Sequence, residues 1–504
     1  MTLLHLSNKS TLLIIYAAVA ATALTPGISF GQNSDNTAAA ADVTASDAKA
    51  ENKAAQKAKD AAAASAVENK AGKNGDLRGN TVNPSQSDAA AETIAAPAPA
   101  DAGKEATNLA EMITKGQFFG NVRTFYYASH NAFFSKGANQ NTLSYGGELG
   151  YVTAPFYGFS VGVSGYLQRG IGHSDNPNYV DSYLGPNITT LGEAYVKWEK
   201  DQFQITAGNQ ALNVPFASSY DWRIAPQLYQ GVDAKYGDDD NFITAFKMFR
   251  FKSYTSNSFT KTTNYDESFD PYSGIGEPET NGFWGVGAAH KFNLDPVTVN
   301  AQGWYQTYQD YADLAYVEGR VSRSNGSWKP FAAAQYLHET GDGRELLGHV
   351  DSQVYGLQLG AKHNSMTVSL GYNFIAPHRN SYLNGALVTP YAHDVSGGPL
   401  FAQPFLTSTQ DLGSGNAYAI DINGAPMGNW FIGARYSFMD LKSDADGPSL
   451  NGSEYLAYAI YNFAGKLKGL SVADFFAVQT SPAKGNTFVQ NRFQLQYAWG
   501  PQIP

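Results

Sequence analysis

The stretch Phe488–Trp499, F-V-Q-N-R-F-Q-L-Q-Y-A-W, alternates cleanly from Arg492 onward. Phe493, Leu495, Tyr497 and Trp499 fall on one side, and Arg492, Gln494 and Gln496 on the other. A strand sends successive side chains to opposite faces, so this segment has one apolar wall and one polar wall. In a soluble sheet the apolar wall meets a core. In an outer-membrane barrel it meets lipid, and the polar wall meets a watery lumen. The rest of the chain decides between those two solvents.

The same texture repeats from Gly116 onward. Strands are expected near 118–130, 143–153, 158–170, 189–199, 202–209, 228–236, 241–250, 282–292 and 297–308. They continue at 312–323, 327–338, 351–363, 365–374, 415–422, 430–439, 452–463, 469–479 and 488–499. These are roughly eighteen segments of about ten residues, the length a tilted strand needs to cross a bilayer. Tight turns such as Ala154–Tyr157 and Lys200-Asp201 alternate with long loops, the longest near 251–281 and 375–414. Short connections at one rim and long ones at the other mark a bacterial barrel. The expected fold is an all-β transmembrane antiparallel barrel with both termini on the periplasmic side.

Composition agrees. The 504 residues are 43% hydrophobic but only 15% charged, with Gly 50, Tyr 31 and Phe 29, a bias toward strands, turns and aromatic girdles. Beyond the N-terminus no run of about eighteen apolar residues exists, so helical membrane spans are excluded. The absence of cysteine excludes thiolate metal sites and cysteine nucleophiles, and a net charge of −10 argues against nucleic acid. Residues 1–31 read as a secretory signal, with the apolar run Thr11–Leu24 and small-residue sites at Ala21-Thr22-Ala23 and Ser29-Phe30-Gly31. Residues 32–112 are an Ala-rich, low-complexity tail with too few aromatics to bury a core, expected to be a disordered periplasmic tether. The barrel domain is then 113–504.

Several strands have readable faces. Met366, Val368, Leu370, Tyr372 and Phe374 oppose Thr367, Ser369, Gly371 and Asn373, while Trp430, Ile432, Ala434, Tyr436 and Phe438 oppose Gly433, Arg435 and Ser437. Segments 241–250, 327–338 and 469–479 are poorly patterned. A cation at mid-bilayer on the lipid face costs about 2–4 kcal/mol, so charges in strands are expected to face inward. That gives a lumen track of Arg123, Lys197, Arg320, Lys362, Arg435 and Arg492, with Glu193, Asp233 and Glu318 as lumen acids. Such a wall attracts anionic groups. No phosphate loop, metal-protease motif or nucleophile elbow is present. His338, His349 and Asp238–Asp240 read as solvated loop or turn residues rather than metal ligands.

The stretch N-Q-A-L-N-V-P-F-A-S-S-Y-D-W-R-I-A-P-Q-L-Y-Q-G, residues 209–231, follows T-L-G-E-A-Y-V-K-W at Thr190–Trp198. Together they resemble the OprD-type outer-membrane porin family, with Asp221, Arg223 and Pro226 at matching positions. Gly397-Gly398-Pro399-Leu400 with Leu406-Thr407-Ser408 resembles that family's seventh loop. Leu467-Lys468-Gly469-Leu470 and the closing N-R-F-Q-L-Q-Y resemble its final hairpin. Asn209 departs from the family's usual Arg. The resemblance covers about 115–499 and implies an eighteen-stranded channel narrowed by inward-folded third and seventh loops, here 210–227 and about 375–414. It passes small solutes, often carboxylates, along a basic ladder. Asp221 and Arg223 are then the expected constriction or its buried support. The implied function is passive diffusion of small hydrophilic solutes without cofactor or catalysis. The implied partners are outer-membrane lipid, lipopolysaccharide and the barrel-assembly machinery, and the chain works as a monomer or trimer. A plugged structural or adhesive barrel and a secreted all-β carbohydrate-active protein are the rival readings.

Overall fold

The computed structural model describes residues 105–219, 223–265, 277–392, 399–406 and 412–500. The expected signal segment and the tail up to residue 104 lie outside them. A short helix, α1 (Leu109–Thr114), precedes a ring of strands. The first half of the ring is β1 (Gln117–His130), β2 (Asn141–Val152), β3 (Phe159–Gly170), β4 (Ile188–Lys200), β5 (Phe203–Gln210), β8 (Leu228–Gly237), β9 (Phe242–Lys252), β10 (Phe283–Leu294) and β11 (Val297–Tyr308). Between β5 and β8 sits a two-stranded miniature sheet, β6 (Asn213–Val214) with β7 (Ala217–Ser218). The second half is β12 (Ala312–Arg323), β13 (Trp328–Gly341), β14 (Asp351–His363), β15 (Met366–Ile375), β16 (Ser414–Met427), β17 (Trp430–Lys442), β18 (Gly452–Asn462), β19 (Leu470–Thr480) and β20 (Thr487–Trp499).

Each barrel strand pairs antiparallel with the next, and β20 returns to β1, from Gly120 opposite Trp499 to His130 opposite Val489. The eighteen-stranded sheet is closed. Closure pairs every strand edge, which is what a sheet surrounded by hydrocarbon requires. The expected segments match these strands closely. The largest departures are at the ends of β13, β16 and β17. A register shift between Gly424 and Met427 lets β16 continue beyond the expected end at 422.

The faces follow the register. Phe493, Leu495 and Tyr497 point outward and are 41%, 38% and 47% exposed, whereas Arg492 points inward and is fully buried. Val317, Val321, Leu357, Leu359, Leu370 and Ile420 extend the outward belt around the ring. An exposed apolar surface of that extent meets hydrocarbon, not water. Trp198, Tyr236, Trp284, Trp430 and Trp499 sit on it at strand ends.

Two of the three poorly patterned segments now have causes. In β9 the apolar Phe246 and Met248 point inward because loops fold back into the barrel and bury them. In β19 the inward residues are Ser471, Ala473, Phe475, Ala477 and Gln479, which leaves Asp474 outward between Val472 and Phe476. The outward Asn491 of β20 donates to its carboxylate at 2.9 Å. This carboxylate on the lipid face is a departure from the rule that strand charges turn inward, and the amide beside it offsets part of its desolvation.

Asn491→Val leaves Asp474 without that donor and is expected to destabilise the barrel by about 1–2 kcal/mol. Adding Asp474→Val removes the need for a partner and is expected to restore the loss. Urea unfolding of the refolded barrel in vesicles reads both. A midpoint for Asn491→Val equal to that of the unaltered protein would mean the pair carries no energy.

Candidate functional site

Loop 3, between β5 and β8, turns into the barrel. Its miniature sheet carries Pro215-Phe216 at the tip, with Phe216 in the left-handed region at φ 59°. Gln306 of β11 donates to the Pro215 carbonyl at 2.7 Å, and Phe216 lies edge-on to Tyr316 of β12. The loop's return limb is held from the other side, where Arg123 of β1 donates to the Arg223 carbonyl at 2.6 Å. Loop 3 therefore reaches across the interior between two separate parts of the wall.

Loop 7, between β15 and β16, is tied along its described part by neighbouring strands. Gln335 of β13 donates to the Pro399 carbonyl at 2.9 Å and accepts from the Phe401 N–H at 3.2 Å. Asn373 of β15 accepts from the Ala402 N–H at 2.7 Å. Arg435 of β17 donates to the carbonyls of Phe401 and Gln403 at 3.1 and 2.7 Å. Glu454 of β18 accepts from the N–H groups of Phe405 and Leu406 at 2.6 and 2.9 Å, and Gln479 of β19 steadies its other oxygen at 2.7 Å. A loop backbone carried into a poorly hydrated interior must find partners for its polar groups, and these inward side chains supply them. The approach is close: a Cβ on Gly371 would stand 2.3 Å from the Phe401 carbonyl oxygen.

Apolar contacts seal the arrangement. Leu212, Val214, Phe216, Leu387, Val388, Tyr391, Leu400 and Ala402 from the loops share one cluster with the inward aromatics of β8–β12. Phe283 stacks on Tyr391 with ring centroids 4.3 Å apart. A second cluster joins Ile224, Phe405 and Leu406 to Phe125, Tyr127, Phe431, Tyr458 and Phe475.

The expected site residues divide by depth. Arg223 is fully buried, its guanidinium 4.9 Å from the Tyr183 ring and 5.7 Å from the Phe125 ring. Asp221 lies outside the described residues. Arg123, Arg320, Arg435 and Arg492 all face inward and are all buried. Arg320 donates to Gln358 at 2.7 Å over the Phe331 ring, Arg435 lies 3.6 Å from Asp421, and Arg492 donates to Gln490 at 2.6 Å. Glu318 accepts from Tyr316 at 2.5 Å, and Glu193 accepts from the Ala211 N–H at 3.3 Å. The half-buried Lys197 pairs with Glu199 at 2.5 Å, and the half-buried Asp233 accepts from Thr244 at 3.3 Å. Lys362 is exposed near the short-turn rim, with inward Lys329 directly opposite it in the register. Neither lysine is ion-paired among the described residues. Lys329, Gln335, Asn373, Asp421, Glu454 and Gln306 were not among the site residues expected from the sequence, although Asn373 and Gln306 read as polar-face positions. An inward polar residue looks the same there whether it meets water or a loop.

A family model, the outer membrane porin, OprD family, matches residues 187–499. The chain belongs to the OprD family of outer-membrane porins. Its short-turn rim is thus periplasmic and its long-loop rim extracellular. Similar solved folds include Pseudomonas aeruginosa OpdK with vanillate, at 14% identity and a TM-score of 0.64, covering 77% of this chain and 99% of that one. A BenF-like porin from Pseudomonas fluorescens Pf-5 (15%, 0.63) and Acinetobacter baumannii OccAB2 (16%, 0.63) have the same coverage. No curated protein matches the chain.

Glu454→Ala leaves the N–H groups of Phe405 and Leu406 unpaired, with an expected stability loss of about 1–3 kcal/mol. The same change is expected to raise single-channel conductance and its open-state noise as loop 7 loosens. A current trace like that of the unaltered protein would show that this strap does not narrow the path.

Proposed function

We propose that this porin mediates passive, selective diffusion of small hydrophilic solutes across the outer membrane, with a preference for solutes bearing a carboxylate. The observation that carries the reading is the pair of inward loops, loop 3 tied to β11 and β1 and loop 7 to β13, β15, β17 and β18, so that a path through the barrel runs alongside them. A path of that kind discriminates by the groups along it. Near the periplasmic mouth those groups include Lys329 and Lys362 side by side, water-accessible cations that draw in anionic groups. OpdK, similar in fold, has been crystallised with vanillate, itself a carboxylate. Weak binding suits such a path, because a solute held tightly would not leave.

The apolar clusters uniting loops 3 and 7 favour a second reading, a barrel closed by its own loops. Planar-bilayer recording separates the two: channel events support transport, and their absence from correctly folded barrels supports closure. In a salt gradient, Lys329→Gln with Lys362→Gln is expected to move the reversal potential toward cation selectivity, with the anion-to-cation permeability ratio falling roughly twofold. The shift should grow as salt is lowered, because the screening length rises from ~10 Å at 0.1 M to ~30 Å at 0.01 M. An unaltered reversal potential at low salt would remove these lysines from the mechanism.

A further inference from the structure

The described chain does not begin inside the barrel. It begins against the outside of the periplasmic rim. Thr107-Asn108 opens α1, where the Asn108 side chain accepts from the Glu111 N–H at 2.9 Å and Glu111 reaches back to the Thr107 N–H at 2.9 Å. This reciprocal cap allows so short a helix to hold. Hydrogen bonds from Lys115 and then Thr107 hold the Glu111 carboxyl down at about 2. A depressed carboxylate stabilises above its ordinary range near 4.3 and loses that effect only as pH falls toward 2, so the cap persists at any physiological pH.

Three contacts fix where α1 lies. The Ala154 N–H donates to the Met112 carbonyl at 2.9 Å, and the Ala106 N–H donates to the Pro155 carbonyl at 2.6 Å. Both tie α1 to the β2–β3 turn. The third is the hydroxyl of Tyr151, which donates to the Ile113 carbonyl. Tyr151 pairs with Phe118 in the register, and the two rings lie on the outward face with centroids 4.9 Å apart. The helix therefore docks onto the outward aromatic girdle rather than beneath the lumen.

Its free face is apolar. Leu109 is 67% exposed, Ile113 64% and Phe118 66%. Leu109 and Ile113 are four residues apart and share one helix face. That face runs on into Phe118 and Val122 of β1 and Tyr157 and Phe159 at the β3 end, all exposed on the lipid-facing side. Thr114 and Lys115 lie exposed away from it.

We infer that residues 106–118 form an interfacial anchor whose Leu109, Ile113 and Phe118 side chains insert into the periplasmic leaflet of the outer membrane. The partner is phospholipid, and the basis is continuity: the patch extends a wall that already meets lipid, at the depth where amphipathic helices and aromatic side chains settle. The anchor brings the chain into β1 along the membrane surface and leaves the periplasmic mouth uncovered by α1.

The chain contains no cysteine, so single reporters can be placed in the full-length protein. Leu109→Cys, Ile113→Cys and Thr114→Cys are each labelled with a nitrobenzoxadiazole dye and refolded into phosphatidylcholine–phosphatidylethanolamine vesicles. Heat-modifiable migration verifies the barrel before each reading. Dyes at positions 109 and 113 are expected to be quenched several-fold more by nitroxide-bearing lipid than by aqueous iodide, and the dye at 114 to show the reverse. Iodide quenching at 109 and 113 equal to that at 114, without a nitroxide effect, would overturn the anchor. Channel activity does not enter either result, so the anchor and the transport reading fail independently.

Discussion

No backbone N–H or C=O can be left unpaired where water does not reach, and this molecule meets that requirement twice. Outside, the pairing of β20 with β1 closes the ring, so that no strand edge faces hydrocarbon. Inside, the same requirement falls on loops 3 and 7, whose backbones leave the barrel sheet and, outside the short β6–β7 ladder, have no strand to pair with. There the partners are side chains: Gln306 and Arg123 for loop 3, and Gln335, Asn373, Arg435 and Glu454 for loop 7. The outer problem is solved by hydrogen bonds between strands and the inner one by polar residues at every second position along them.

This changes the meaning of the charged interior. Arg435 serves two loop carbonyls and lies near Asp421, and Arg123 serves the carbonyl of Arg223. A buried arginine with such partners holds a shape, and removing it leaves carbonyls unpaired. The water-accessible cations, Lys329 and Lys362, are near the periplasmic mouth instead. Under the proposed function, selectivity and loop support fall largely to different residues, although both are inward charges on strands.

Much of this was legible in the chain. The alternation of Phe493-Leu495-Tyr497-Trp499 against Arg492-Gln494-Gln496 and the alternation of short and long connections led to a closed barrel with the observed faces. The inward direction of Arg123, Lys197, Arg320, Lys362, Arg435 and Arg492 followed from the same rule. Segment 469–479 resisted because Phe475 points inward to meet Phe405 and Tyr458, while Asp474 points outward to meet Asn491. Both inversions depend on residues distant in sequence. The expected segment 415–422 fell short for a similar reason, since a bulge after Gly424 let the strand run on.

A strand's two faces repeat with period two, a local property, so the sequence by itself determined the number of crossings, their approximate extent and, in the well-patterned strands, which residues look inward. What an inward residue meets is not local. Glu454 faces either water or the N–H groups of Phe405 and Leu406 depending on where a loop some fifty positions earlier comes to rest. Only the tertiary structure decided that, and with it which arginines are posts for the loops, which lysines stay wet, and that Leu109 and Ile113 lie beside the membrane wall. Burial and partner choice are set by segments that meet only after the ring has closed.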